Sequence, residues 1–129
     1  MNNSAPGVFI NCHSFPFLSW ILSGLKLYET RNRDTLRSLV GRRVLLIETG
    51  HGRPTVRGSA TIKLCRVVHN RCEWNMLRKK HRVPAGSAYD WTDKTNVKYC
   101  YMLDDVRHCD PFQVTDGVRH GRVWMEVSL

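Results

Sequence analysis

SFPFLSWILSGLKLYETRN, residues 14–32, reads as a short helix, a turn and a strand, and the rest of the chain is arranged around it. Pro16 stands at the start of the helical spacing, where its missing N–H costs nothing, and Ser14 offers a hydroxyl to the exposed amides behind it. Phe17, Trp20 and Ile21 share one helical face. Gly24 falls where a left-handed C-terminal cap is needed, and beyond it the spacing becomes extended over Leu27–Thr30. This corner carries Lys26, Glu29 and Arg31. In an ideal strand Glu29 and Arg31 point to one face, while Lys26 belongs to the other unless it still lies in the turn, where its direction is free. Spacing alone leaves two outcomes open: a solvated strand edge with nearly neutral ion pairs, or three charges gathered on rigid backbone behind a buried helix.

Gly24-x-Lys26-x-x-Glu29-x-Arg31, preceded by an amphipathic helix and followed by the strand Gly41-Arg42-Arg43-Val44-Leu45-Leu46, resembles the signature of the ASCH domain, a PUA-like β-barrel. The likeness is good over residues 14–47 and weak over most of the rest. It departs at His13-Ser14-Phe15-Pro16-Phe17, where ASCH proteins often open the helix with Arg-Gln-Pro-Trp or Arg-Gln-Pro-Tyr. The resemblance implies a mixed α+β, mainly β fold, a small PUA-like β-barrel with two or three short flanking helices in a single domain over residues 1–129. It implies a ligand cleft on the Gly-x-Lys-x-x-Glu-x-Arg corner, lined by an aromatic strand near Tyr101, with RNA or a nucleotide as partner. In that role Lys26 and Arg31 neutralise phosphate or polarise a base carbonyl, and Glu29 accepts from an exocyclic amine. Some ASCH proteins are amidohydrolases that deacylate modified cytidine with a lysine, a threonine three residues later and a distant glutamate; others are linked to RNA cleavage. Lys26 matches the lysine, but Glu29 stands where the threonine would be, and Thr30 faces the other way. A hydrolase acting on RNA or a modified nucleoside therefore needs a different pair, with Lys26 as general base and Glu29 as proton shuttle.

Composition agrees with a folded binding protein. The 129 residues suffice for one domain with one core, 42% of them are apolar, and the formal charge of +9 favours polyanionic partners through salt-dependent association. A basic surface with no nucleic-acid role is the plainer alternative. Five cysteines without a CxxC pair argue for reduced thiols. Adjacent His108 and Cys109 point opposite ways on an extended chain, so neither a metal site nor a cofactor is expected. The longest apolar run, Phe15–Leu22, is too short to span a bilayer; no membrane partner and a cytoplasmic location follow as expectations. Residues 1–7 are small and polar and read as a flexible leader, with Val8-Phe9-Ile10 as the first strand.

Further along, Leu36, Leu39 and Val40 predict a turn or two of helix capped by Asp34, and Val44–Ile47 predicts a buried strand. The loop Gly50-His51-Gly52-Arg53-Pro54 lacks the lysine and hydroxyl of a phosphate loop and reads as a hairpin connection. Val56–Val68 predicts one bent strand with a bulge at Gly58. Glu73–Arg82 predicts a helix with Trp74 and Leu77 on one face, ending in Arg78, Lys79, Lys80, His81 and Arg82. That cluster complements the helix dipole and also suits an RNA backbone. Residues 84–96 form a loop with Tyr89 and Trp91, whose rings either stack on bases or fold back as a lid on the core. Lys98–Leu103 alternates as a strand, with Tyr99 and Tyr101 on one face. The basic turn 117–122 brings Arg119 and His120 toward cleft or solvent before a closing strand, Val123–Val127. Many strands, few helices and no βαβ alternation favour a small mixed barrel over a doubly wound sheet.

Overall fold

The structure is a computed structural model that describes residues 3–121 and 123–129. Its strands are β1 (Ser4–Asn11), β2 (Tyr28–Arg31), β3 (Arg43–Thr49), β4 (Thr55–Val68), β5 (Lys98–Gln113), β6 (Gly117–His120) and β7 (Trp124–Ser128). They form a single sheet in the order β2-β5-β4-β3-β1-β7-β6, in which only the β1–β3 pair is parallel. Three short helices, α1 (Phe17–Leu22), α2 (Arg71–Met76) and α3 (Arg78–His81), and a 3-10 turn (Arg37–Leu39) complete a mixed, mainly β fold, as expected.

The α1–β2 corner forms for the reasons its residues suggest. Gly24 is left-handed at φ +84°, and the Trp20 carbonyl accepts from the amides of both Leu25 and Lys26. Lys26 therefore lies in the turn, freed from strand alternation. Phe17, Leu18 and Ile21 of α1 are buried in a core with Val8, Ile10, Leu46 and Ile62. Gly58 is the expected bulge: the β3–β4 and β4–β5 registers both shift beside it, and a side chain there would collide with the Arg107 carbonyl and Leu22. A second core gathers Tyr28, Trp74, Leu77, Val83 and Cys100 beneath α2 and α3.

Several expectations need correction. The sheet bends through three register shifts along β4–β5 but does not close into a barrel among the described residues. The reason is one of edges: β1 already pairs with β3 and, over Ser4–Val8, with β7, while four-residue β2 pairs only with β5. What crosses the seam between β2 and β1 is a side chain, Arg31, whose Nη2 donates to the Phe9 carbonyl at 2.6 Å. Ser4–Gly7, read as part of a leader, belongs to β1 because β7 supplies a partner strand; Met1 and Asn2 lie outside the described residues. The single helix expected over Glu73–Arg82 is two helices that meet at Leu77, the first capped by Asn70, whose side chain accepts from the Glu73 amide. Asp34 caps nothing, because its carboxylate is taken by the Tyr101 hydroxyl and the Arg37 guanidinium. β5 runs ten residues past Leu103, and residues 117–120 form a strand in place of a turn. Among the described residues no helix is long and apolar enough to cross a membrane.

Candidate functional site

A cleft of about 330 Å³ opens at the seam. Its walls are the free end of β1 (Phe9, Ile10, Asn11), Phe17 of α1, the corner and strand Lys26, Glu29, Thr30, Arg31 and Asn32, and Thr49, Val83, Tyr89 and Lys98. The sheet's failure to close makes the site: where hydrogen bonds between β2 and β1 would complete a barrel, the two strands stand apart and their side chains fill the rim.

Lys26 is 1% exposed. Its ammonium donates to the His81 carbonyl and sits 4.9 Å from the Phe17 ring centroid. Burial lowers its pKa below the ordinary lysine value; the Glu29 carboxylate opposes this and the Arg31 guanidinium adds to it. Glu29, 8% exposed, accepts at Oε1 from its neighbour's amide, Thr30 N–H, at 3.0 Å. Arg31 lies beside it, with Nε 3.9 Å from that same oxygen, on the shared strand face that alternation predicts. Among the described residues Glu29 Oε2 and Arg31 Nε are both buried without a hydrogen-bond partner.

Two buried residues complete the site's chemistry: Lys98, which the sequence reading did not single out, lines the cleft, and His81, read there as part of the basic helix end, stands behind Lys26. Lys98 is 4% exposed; its ammonium donates to Asn32 Oδ1 at 2.7 Å and the Tyr89 carbonyl at 2.9 Å, and lies 5.2 Å over the Trp74 ring. Burial lowers its pKa, with Asp90 opposing. The signal was in the alternation: Lys98 has the parity of buried Cys100, so a lysine begins the inward face of β5. His81 is buried and stacked on Trp74 at 3.8 Å. Its Nδ1 accepts from Val83 N–H, so Nε2 carries the proton and donates to the Trp74 carbonyl. Burial pushes its pKa down to about 4; the Trp74 bond opposes this, while the Lys26 and Arg78 charges assist it. A neutral ring thus anchors the carbonyl that holds Lys26.

The remaining candidates disperse. Tyr89 does line the cleft, edge-on to Phe17 (5.5 Å, 83°) and Phe15 (6.3 Å, 73°). Trp91 instead faces Trp74 at 6.4 Å in the second core, so the aromatic loop is a lid there. Asp90 fastens that lid. Burial would raise its carboxyl, but donors from Gly86, Trp74, Trp91 and Arg78 outweigh this and hold its pKa well below the ordinary value. Arg78 is spent on Asp90, Asn75 and the Val83 carbonyl, and Arg82 on the Leu25 carbonyl. Lys79 and Lys80 are exposed. Tyr101 is buried away from the cleft, its hydroxyl donating to Asp34 at 2.6 Å and accepting from Leu36 N–H, because the segment before the 3-10 turn needs both bonds. Ser14 is exposed, neither lines the cleft nor caps α1, and the helix start at Pro16 has no side-chain cap. Arg119 and His120 stand on β6: the first lies 4.9 Å over the Phe9 ring and the second stacks on Trp124 at 4.0 Å, outside the cleft walls.

No family model matches the chain, and no curated protein matches it significantly. Solved structures do. A serine-to-alanine variant of ZmASCH, the ASCH protein of Zymomonas mobilis, superposes with a TM-score of 0.72 at 18% identity, covering 92% of this chain and 85% of that one. A tyrosine-to-phenylalanine variant gives 0.68 at 20% identity, over 84% and 76% of the two chains. The unsubstituted ASCH protein from Zymomonas mobilis gives 0.68 at 19%, over 84% and 73%. Similarity sustained over most of both chains at this level of identity is similarity of architecture, and this chain has the ASCH fold.

Proposed function

We propose that the seam cleft binds a nucleotide, free or as one unit of an RNA strand, and that the protein acts as a single-domain ASCH-like binding module. One observation carries the reading: a buried carboxylate oxygen and a buried guanidinium nitrogen on two cleft-lining residues, Glu29 Oε2 and Arg31 Nε, have no hydrogen-bond partner among the described residues. Buried polar atoms are rarely left so, because each costs about 1–3 kcal/mol unless something pairs with it. A base edge presents a donor beside an acceptor and satisfies both. The volume is at the lower end for small-molecule sites, suited to one nucleotide and too small for a stacked strand. Phe17 and Tyr89 supply ring walls, and the overall charge of +9 steers polyanions toward the protein. With unpaired thiols and an RNA ligand, the expected compartment is the cytoplasm.

Calorimetric titration with nucleotides and short RNA tests this. Glu29→Gln and Arg31→Lys are each expected to weaken binding by about tenfold. Affinities identical in wild type and both variants would overturn the reading.

A second reading is favoured by the burial of Lys26, which lowers its pKa and brings it closer to proton-accepting use at neutral pH. In a hydrolase acting on RNA or a modified nucleoside, Lys26 would serve as general base and Glu29 as proton shuttle. Assays with acetylated cytidine and a mixed RNA pool separate the classes. Turnover that persists in Lys26→Ala and Glu29→Gln removes both residues as catalysts; tight binding without turnover leaves the module.

A further inference from the structure

Donors outnumber acceptors along the cleft wall, and they carry charge. An ammonium has three N–H donors. Among the described residues Lys26 Nζ reaches one acceptor, the His81 carbonyl, and Lys98 Nζ reaches two, Asn32 Oδ1 and the Tyr89 carbonyl. Arg31 Nε reaches none. Both cleft asparagines have their side-chain oxygens engaged, Asn11 Oδ1 by the His13 amide at 2.9 Å and Asn32 Oδ1 by Lys98, so their amino groups are what remain for a ligand. Against these stands one unpartnered carboxylate oxygen, Glu29 Oε2. The charges are unbalanced too: Lys26, Lys98 and Arg31 have one carboxylate, Glu29, beside them in the cleft lining. Asp90, whose charge also reaches Lys98, is committed to four donors of its own, and both lysines lie almost wholly out of water.

Buried cations without matching anions are costly, and the cost falls when an anionic ligand arrives. An amine-rich ligand would add donors to a wall that already has too many. A ligand rich in acceptor oxygens, carrying negative charge and presenting one donor for Glu29, matches it. The fold lines one cleft with both lysines: Lys98 lies 5.2 Å over the Trp74 ring, and Lys26 is held by the His81 backbone carbonyl.

We infer that the cleft is a phosphomonoester site, in which the terminal phosphate of a nucleotide or of an RNA end sits against Lys26 and Lys98 and the base edge meets Glu29 and Arg31. This rests on the nucleotide reading above and adds which end of the ligand the buried lysines hold. It also gives Lys98 a binding role beyond fastening Asn32 to the Tyr89 carbonyl.

The test compares, on the wild-type chain by calorimetry, each ribonucleoside with its 5′-monophosphate, ribose 5-phosphate, inorganic phosphate, and a trinucleotide with and without a 5′-phosphate. The monophosphate is expected to bind about ten- to hundredfold tighter than its nucleoside, the gain of charge-assisted hydrogen bonds to two ammonium groups. In the Lys98→Met variant, which keeps the stem and loses the charge, the monophosphate's advantage over its own nucleoside should shrink to within about threefold. Nucleoside and monophosphate binding equally well would overturn the phosphate site and leave the nucleotide reading standing. Ribose 5-phosphate or inorganic phosphate binding as tightly as the mononucleotides would support the phosphate site and sink the nucleotide reading. Binding by none of them overturns both. A preference confined to the 5′-phosphorylated trinucleotide over the free monophosphates would support the site and identify an RNA end as the source of the phosphate.

Discussion

The α1–β2 corner and the α2–α3 segment with its aromatic loop are both rich in charge and rings, and the structure treats them in opposite ways. At the corner, charge is buried and incompletely paired: Glu29 and Arg31 line the cleft, and Glu29 Oε2 and Arg31 Nε have no hydrogen-bond partner among the described residues. In the α2–α3 segment the inward-facing charge is spent. Arg78 and Trp74 both donate to Asp90, the exposed Arg82 holds the Leu25 carbonyl, and Lys79 and Lys80 stand in solvent. Density of charge therefore does not mark the site here. What marks it is the coincidence of unsatisfied buried polar atoms with an open cleft: Thr35 Oγ1, Arg57 Nε and Ser87 Oγ also lack hydrogen-bond partners among the described residues, but none of those side chains lines the cleft.

The difference can be broken at several places. The largest effect is expected at Asp90, where Asp90→Ala strips the acceptor from four donors at once and should destabilise the protein by about 3 kcal/mol in urea unfolding. A loss below about 1 kcal/mol would show that the lid is not held by that carboxylate.

Next comes acid. His81 has a folded pKa of about 4, depressed from 6.5, so the unfolded chain binds the proton more readily. Its contribution to stability is full above pH 6.5 and is lost as pH falls toward 4, by about 2–3 kcal/mol. Unfolding of wild type and His81→Gln, followed between pH 7 and 4, isolates this: the variant should lose less than wild type over that window. Parallel curves would refute a neutral buried ring.

A smaller effect of opposite sign is expected at the corner. Lys26→Met replaces a buried ammonium by an apolar chain of similar length, and stability should rise by about 1 kcal/mol while nucleotide binding disappears. A fall in stability would make Lys26 a clamp on the His81 carbonyl first and a ligand group second. The smallest effect belongs to the exposed lysines. The double variant Lys79→Ala, Lys80→Ala should leave mononucleotide affinity within about twofold and lower the salt slope of RNA binding by no more than about 0.7 per lysine. A loss of tenfold or more for mononucleotides would move the basic helix into the site.

Legibility followed the range of the interactions. The helix, the left-handed Gly24 and the strand beyond it were readable because capping, backbone sterics and alternation act within a few residues. Glu29 and Arg31 were placed on one face for the same reason. Tyr101 was misread as a cleft residue because its parity shows that it is buried but not what its hydroxyl meets, which is Asp34, 67 residues earlier. The outer half of β5 went unseen since its exposed residues show no apolar alternation, and the ladder with β4 makes it a strand. Arg78 looked free because Asp90, its partner, lies in a loop without periodicity.

By itself the sequence determined a mainly β fold with short helices, a basic surface, a rigid charged corner and the face shared by Glu29 and Arg31, all consequences of local geometry and composition. Only the tertiary structure decided that Lys26 turns inward to a carbonyl 55 residues away, that Lys98 joins it, and that the sheet stays open where β2 meets β1. Those outcomes depend on which distant groups compete for the same donors and edges, and that competition is settled when the chain packs, not along it.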